Sequence, residues 1–240
     1  HPGLGVVQGY RAEAGPAEGE AYRSFEDTFR GSEAFIRDRQ RVYLNLIDER
    51  APVLDFGCGR GEFLDLLAEQ GIASLGVDSD AGMVSRCHEK GHANVVESDG
   101  LDYLQSLEDA SLGAIFCAQV IEHLPYEQLL RLFALARRKL VTEGLFIAET
   151  VNPHSAAALK TFWVDPTHQH PIFPEVALAL SQAAGFSTAF VFHPNGKGDV
   201  ERDRFVQGEY AVVAGGESLL AGAPRQLASA GAAAKSPDVG

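Results

Sequence analysis

The 240-residue sequence predicts an α/β fold: a doubly wound, mostly parallel sheet with helices on both faces. Three observations carry that prediction. Short apolar runs alternate with longer amphipathic stretches from about residue 50 to residue 150, the pattern of consecutive βα units. The first run, Val53-Leu54-Asp55-Phe56, leads directly into glycines at every second position, Gly57, Gly59 and Gly61. The last two apolar runs are separated by a polar loop, so they are expected to pair antiparallel.

Residues 1–21 are rich in Gly, Ala, Pro and Glu and are expected to form a disordered tail. Structure is expected from Tyr22, where Phe25 and Phe29 lie one helical turn apart. Ser32 is a candidate N-cap followed by Glu33, and Phe35, Ile36, Tyr43, Leu46 and Ile47 continue a helical period toward the first strand. After the glycine loop, Phe63, Leu66 and Leu67 mark a helix ending near Gly71. Ser74–Asp78 is the second strand, and Met83, Val84 and Cys87 mark the next helix, closed by Gly91. The third strand is read over Ala93–Asp99, and a short helix carries Leu101, Leu104 and Leu107. Leu112–Val120 is the fourth strand, Tyr126–Leu140 a strongly amphipathic helix and Leu145–Glu149 the fifth strand. Pro174–Ala184 reads as a helix, Thr188–His193 as a strand, 194–204 as a polar loop and Phe205–Ala214 as the last strand. Residues 215–240 are expected to be a second disordered tail.

Composition bounds the function. The chain is 45% hydrophobic and 22% charged, which suits one globular domain with a full core. A net charge of −13 argues against nucleic acid as a partner, because phosphate neutralisation needs a basic face. No apolar run is long enough to span a bilayer. The three cysteines, Cys58, Cys87 and Cys117, form no C-x-x-C pair, so neither a disulfide framework nor zinc is expected, and a reducing cytoplasm is. His1 is not a natural start, so a trimmed or processed chain is expected.

The glycine loop is a place where backbone can approach a ligand without a Cβ in the way. Its spacing is G-x-G-x-G rather than the dinucleotide G-x-G-x-x-G, and Asp55 sits inside the strand end. A pyrophosphate disfavours such an acid; a ligand with a sulfonium and an α-ammonium, as in S-adenosylmethionine, tolerates it. Asp78 and Asp99 also stand at ends of successive strands, so all three acids are expected along one sheet edge. Asp78 follows Gly61 at the distance where an acid grips ribose hydroxyls, and Asp99 could accept from an adenine amino group.

These residues resemble the class I S-adenosylmethionine-dependent methyltransferases. The matching stretches are VLDFGCGRG at Val53–Gly61, Gly76-Val77-Asp78, Ser98-Asp99, Cys117–Leu124 and Gly144-Leu145. The resemblance implies a Rossmann-like sheet of seven strands with an antiparallel last strand. It implies S-adenosylmethionine as cofactor, with S-adenosylhomocysteine as product. Cofactor contacts then fall on Asp55, Gly57, Gly59, Asp78, Ser79, Asp99, Gly100 and Gln119. A narrower resemblance is to methyltransferases of bacterial surface-polysaccharide (O-antigen) clusters. It rests on Phe29-Arg30-Gly31, Gly59-Arg60-Gly61-Glu62, Glu149-Thr150-Val151-Asn152-Pro153 and Asp165-Pro166-Thr167-His168; Val151 departs from the proline expected there. It implies methyl transfer to an oxygen of a small or saccharide acceptor in polysaccharide biosynthesis.

The expected organisation is a methyltransferase domain over 22–214: N-terminal helices 22–50, cofactor-binding core 51–150, acceptor-site segment 151–172, and a C-terminal helix and hairpin 173–214. An anionic phosphate acceptor would need cations, for which Arg30, Arg60, Lys160 and His168 are available; a hydroxyl would need a base, for which His168 and His123 are. Asp165 lies three residues before His168 and could orient its ring, and Trp163 could cover the acceptor. His154, His168, His170 and His193 show no metal spacing, so no metal is expected. An NAD-type dehydrogenase and a non-catalytic binding module of the same fold are the competing readings.

Overall fold

The computed structural model describes residues 31–47 and 50–220. The readings of a tail over 1–21, of Phe25 and Phe29, of Arg30 and of residues 221–240 lie outside these residues.

Seven strands form one sheet: β1 Val53–Phe56, β2 Ser74–Asp78, β3 Val95–Glu97, β4 Leu112–Ala118, β5 Leu140–Val151, β6 Thr188–Phe192 and β7 Glu209–Gly215. Their order is β3-β2-β1-β4-β5-β7-β6. The first five run parallel, and β7 pairs antiparallel with both β5 and β6. The order reverses between β1 and β4, which opens a crevice at the carboxyl ends of those two strands.

Strand alternation builds the two cores. Leu54, Phe56, Ile115, Cys117, Phe146, Ala148, Tyr210 and Val212 face one side of the sheet. The helices α5 (Gly100–Ser106), α6 (Tyr126–Lys139) and α8 (Pro174–Ala183) cover that side with Leu101, Leu104, Leu129, Phe133, Ala177 and Leu180. The residues between them, Val53, Ala114, Phe116, Leu145, Ile147, Ala211 and Val213, face the other side. There α3 (Glu62–Glu69) adds Phe63, Leu66 and Leu67, and the N-terminal helices α1 (Glu33–Gln40) and α2 (Leu44–Ile47), with a 3₁₀ turn between them, add Tyr43 and Ile47. Period-2 burial on both faces is what a central parallel strand requires. The helix α4 (Ala81–Glu89) packs Val84 and Cys87 on Cys58, Leu64 and Val95 at the sheet's edge.

Local signals explain the helix starts. Ser32 accepts from Phe35 N (3.3 Å), Asp80 from Gly82 N (2.7 Å) and Met83 N (3.1 Å), and Asp99 from Asp102 N (3.0 Å). Gly71 and Gly91, just past α3 and α4, take positive φ.

The sequence reading differs in four places. Residues 194–204 are not all loop: α9 spans Val200–Val206, capped by Asp199 accepting from Arg202 N (3.1 Å). The last strand therefore starts at Glu209, and Phe205 and Val206 are exposed on α9. β5 begins directly after α6 at Leu140, with a register shift against β4 between Leu112 and Ala114. The third strand keeps only Val95–Glu97, because Asp99 caps α5. Gly215 closes β7 and Glu217–Leu220 form a 3₁₀ turn, so the ordered chain outlasts residue 214.

Candidate active site

A cleft of about 310 Å³ lies over the crevice between β1 and β4. One wall is the glycine loop. Gly57 N and Cys58 N donate to Val77 O (2.9 and 3.1 Å), which folds the loop back onto β2. Gly57 has φ +74°, and a Cβ there would lie 2.5 Å from Val120 Cγ2, so only glycine fits. Asp78 closes the loop from β2. Its Oδ2 accepts from Gly59 N (2.8 Å) and its Oδ1 from Asp80 N (2.9 Å). Each carboxylate oxygen keeps a second lone pair, so Asp78 can hold the loop and still accept from a diol.

Gln119 forms part of the second wall. It follows β4 with φ +56°, a strained conformation for a side-chain-bearing residue. Glu149 holds it there: Gln119 N donates to Glu149 O (2.9 Å) and Gln119 Nε2 to Glu149 Oε1 (3.1 Å). The other Glu149 oxygen accepts from the Tyr43 hydroxyl. Burial pushes the Glu149 carboxyl above its ordinary value, although hydrogen bonds from Tyr43 and Gln119 oppose the shift. Burial, with Glu149 next, raises Tyr43 well above the usual phenol range.

The far side is built by the segment after β5. Asp165 Oδ1 accepts from Thr167 N (2.8 Å) and from the Thr167 hydroxyl (2.6 Å). Because that hydroxyl proton points at Asp165, Thr167 Oγ1 accepts from His123 Nδ1 (2.9 Å). His123 therefore carries a proton on Nδ1. His168 has the same tautomer, since its Nδ1 donates to Phe162 O (2.7 Å). The two rings meet edge to face with centroids 4.6 Å apart. Burial works against ionised Asp165, but both Thr167 hydrogen bonds and the two histidines hold its carboxyl below the ordinary value.

Of the expected cofactor residues, Gly57, Gly59, Asp78, Ser79, Asp99, Gly100 and Gln119 line the cleft. Asp55 does not: it sits mid-sheet between Gly76 and Phe116 and is 3% exposed. Among the acceptor residues, Arg60 is turned toward Glu62 (2.7 Å) and Gly31 O (3.2 Å). Lys160 and Trp163 are exposed on or beside α7 (Ala156–Phe162), outside the cleft wall. Asp165 Oδ2 is 3.9 Å from His168 Nε2, beyond hydrogen-bond reach; Asp165 orients His123 through Thr167 instead, and Phe162 O orients His168. His123 lines the cleft and His168 stands behind it.

Sequence reading missed Thr167, Val120 and Met83 as cleft residues and Glu149 as the support of Gln119. The D-x-T step at Asp165–Thr167, an Asx-type turn, was the one available signal. The no-metal expectation weighed His154, His168, His170 and His193; the structure instead gathers the adjacent Glu122 and His123 with His168, 45 residues further along the chain. The cysteines are buried, and Cys87 Sγ donates to Gly59 O (3.3 Å), packing beneath the loop.

The cleft fits a nucleoside with a positive centre: loop edges bare of Cβ, the ribose-competent Asp78, and Asp99 at the next strand end. Comparison with known proteins agrees. Residues 54–148 match the model of a methyltransferase domain. The crystal structure of an S-adenosylmethionine-dependent methyltransferase from Archaeoglobus fulgidus superimposes with a TM-score of 0.72 at 33% identity, covering 81% of this chain and 99% of that one. A Mycolicibacterium smegmatis protein described as "Probable S-adenosylmethionine-dependent methyltransferase" is 28% identical over 70% of this chain. The match spans 66% of that relative's length, just under two thirds. A ubiquinone biosynthesis O-methyltransferase from Idiomarina loihiensis is 27% identical, over 67% of this chain and 72% of its own.

Proposed function

This chain belongs to the S-adenosylmethionine-dependent methyltransferases, and on that premise we propose that it methylates an oxygen, hydroxyl or phosphate, of a small carbohydrate-related acceptor. The cofactor supplies a methyl group on a positively charged sulfur and leaves as S-adenosylhomocysteine. Gly57, Gly59, Asp78, Ser79, Asp99, Gly100 and Gln119 bind it and fix its direction in the cleft. Asp55, buried in mid-sheet, is not part of the cleft lining. Methyl transfer is an in-line displacement, so alignment and exclusion of water are the protein's main contributions.

The observation that carries the reading is that His123 lines the same cleft as Gln119, Val120 and the glycine loop. Its Nε2 lone pair makes it the base for a hydroxyl acceptor, and Asp165, acting through Thr167, stabilises the ring when it gains the proton. His168 packs on His123 and holds its angle. For a phosphate acceptor, Lys160 and Arg60 are the candidate cations among the described residues, although Arg60 is paired with Glu62 and neither lines the cleft. Trp163, exposed just after α7, reaches an acceptor only if it turns toward the cleft.

A second reading has one observation in its favour. Trp163, Val164, Phe173 and Phe205 are exposed around the same segment, and Trp163 is 62% accessible. Such an apolar rim suits a phenolic or quinol acceptor, in line with the relative described as a ubiquinone biosynthesis O-methyltransferase. Residence in a reducing cytoplasm belongs to the proposal, supported by three thiols that are free and buried. Among the described residues no helix is long and apolar enough to cross a membrane.

The test is a screen with methyl-labelled cofactor against sugars, sugar phosphates, nucleotide sugars and hydroxylated phenols. We expect label on a saccharide; label on phenols alone selects the second reading. His123→Ala should lower turnover on a hydroxyl acceptor by ~10²–10⁴-fold with cofactor affinity unchanged. Unaltered turnover would remove His123 from the chemistry.

A further inference from the structure

Behind the cleft wall, the 3₁₀ turn Ile121–His123 and the segment after α7 bring three donor side chains together. One ligand atom each from Glu122, His123 and His168 lies within 4.8 Å of the others. Glu122 is fully buried, and Gln169 N donates to its backbone oxygen (2.8 Å), which ties the two segments at that point. Both imidazoles are fixed in the Nδ1–H tautomer, His168 by the carbonyl of Phe162 (2.7 Å) and His123 by the hydroxyl of Thr167 (2.9 Å). In the neutral form each ring then carries its lone pair on Nε2. Holding the second nitrogen with a carbonyl or a carboxylate-backed group is the arrangement of a metal-ligating histidine. A buried carboxylate beside two imidazoles also fits the rule that buried charge is paired or bound to metal.

We propose that Glu122, His123 and His168 bind one divalent transition-metal ion. Two imidazoles and one carboxylate, with no thiolate, make a borderline donor set suited to Zn²⁺ or Co²⁺ rather than Mg²⁺ or Ca²⁺. At about 2.1 Å from each ligand, tetrahedral donors stand about 3.4 Å apart, so the three side chains draw inward on binding. Three protein ligands leave a coordination position open, and of the three His123 lines the cleft. The role of that position rests on the methyl-transfer reading: it takes the acceptor hydroxyl. The O–H bond breaks and its proton passes to water. The oxygen pair forms the new O–CH₃ bond, and the S–CH₃ bond breaks with its pair going to sulfur, leaving a neutral thioether. With the ion bound, His123 is its ligand and the ion makes the hydroxyl acidic enough to react near neutral pH; the base role of His123 then belongs to the ion-free chain.

The test is calorimetric titration of the chelator-treated full chain with Zn²⁺, paired with the visible absorption of added Co²⁺. We expect one ion per chain, and affinity lowered at least ~10-fold in His168→Ala and in Glu122→Gln. Thr167→Val, which removes only the partner of His123 Nδ1, should also weaken binding. S-adenosylmethionine binding that persists in the variants shows that they are folded. Absence of saturable Zn²⁺ binding to the wild-type chain overturns the proposal, as does affinity unchanged in all three variants. Ion binding without S-adenosylmethionine binding would leave this site standing and sink the proposed function; the reverse result would do the opposite.

Discussion

At the scale of single residues, the site depends on groups that serve two purposes. Asp78 fastens the glycine loop through Gly59 N and Asp80 N and presents its remaining lone pairs to the cleft. Asp78→Ala loses both, so S-adenosylmethionine affinity should fall by about 1.5–3 kcal/mol, roughly 10- to 100-fold, by calorimetry. An unchanged affinity would take Asp78 off the ribose. Glu149 supports Gln119 from a buried position with a raised pKa. A raised carboxyl keeps its stabilising protonated form below the unfolded value of 4.5, and that contribution is lost as pH climbs through the folded value. Glu149→Gln cannot ionise. Its melting temperature should therefore improve relative to wild type as pH rises above 4.5, whereas a constant difference would mean that Glu149 does not titrate as described.

At the scale of elements, what the sequence disclosed and what it hid have physical reasons. Ser74–Asp78 was legible to the residue because β2 is bounded by Ala73 and by an acid that starts a turn. The α6 helix was legible because its buried residues Leu129, Leu132, Phe133 and Ala136 recur at helical spacing. The α9 helix was not. Its buried residue is Asp203, which accepts from Gly198 N (3.1 Å), while Phe205 and Val206 point outward and resemble the start of a strand. The glycine loop and strand-end acids gave most of the cofactor wall, since local spacing encodes it. The His123–Thr167–Asp165 chain and the Glu149–Gln119 support join segments far apart in sequence, and no local pattern reports such contacts. Helix packing is open to test as well. Phe133 is 1% exposed and meets Phe146 edge to face at 5.0 Å. Phe133→Ala should cost about 3–5 kcal/mol in urea unfolding; a cost near zero would mean that α6 does not seal that face.

At the scale of the whole molecule, the sheet sorts structure from chemistry. Its middle is mostly apolar on both faces, Asp55 apart, and buries Val53, Leu54, Ile115 and Phe146 completely. Its carboxyl edge, where strand order reverses, gathers the glycine loop, the acids and His123 around one cleft. A rigid centre with a polar rim holds reacting groups in register without being rebuilt at each turnover. The net charge of −13 suits a small acceptor rather than a nucleic acid. The most direct measurement is a crystal structure with S-adenosylhomocysteine bound. The account predicts the amino-acid end along Gly57 and Gly59, both ribose hydroxyls on Asp78 and the sulfur facing His123. A nucleoside bound elsewhere, or a ribose turned away from Asp78, would contradict it.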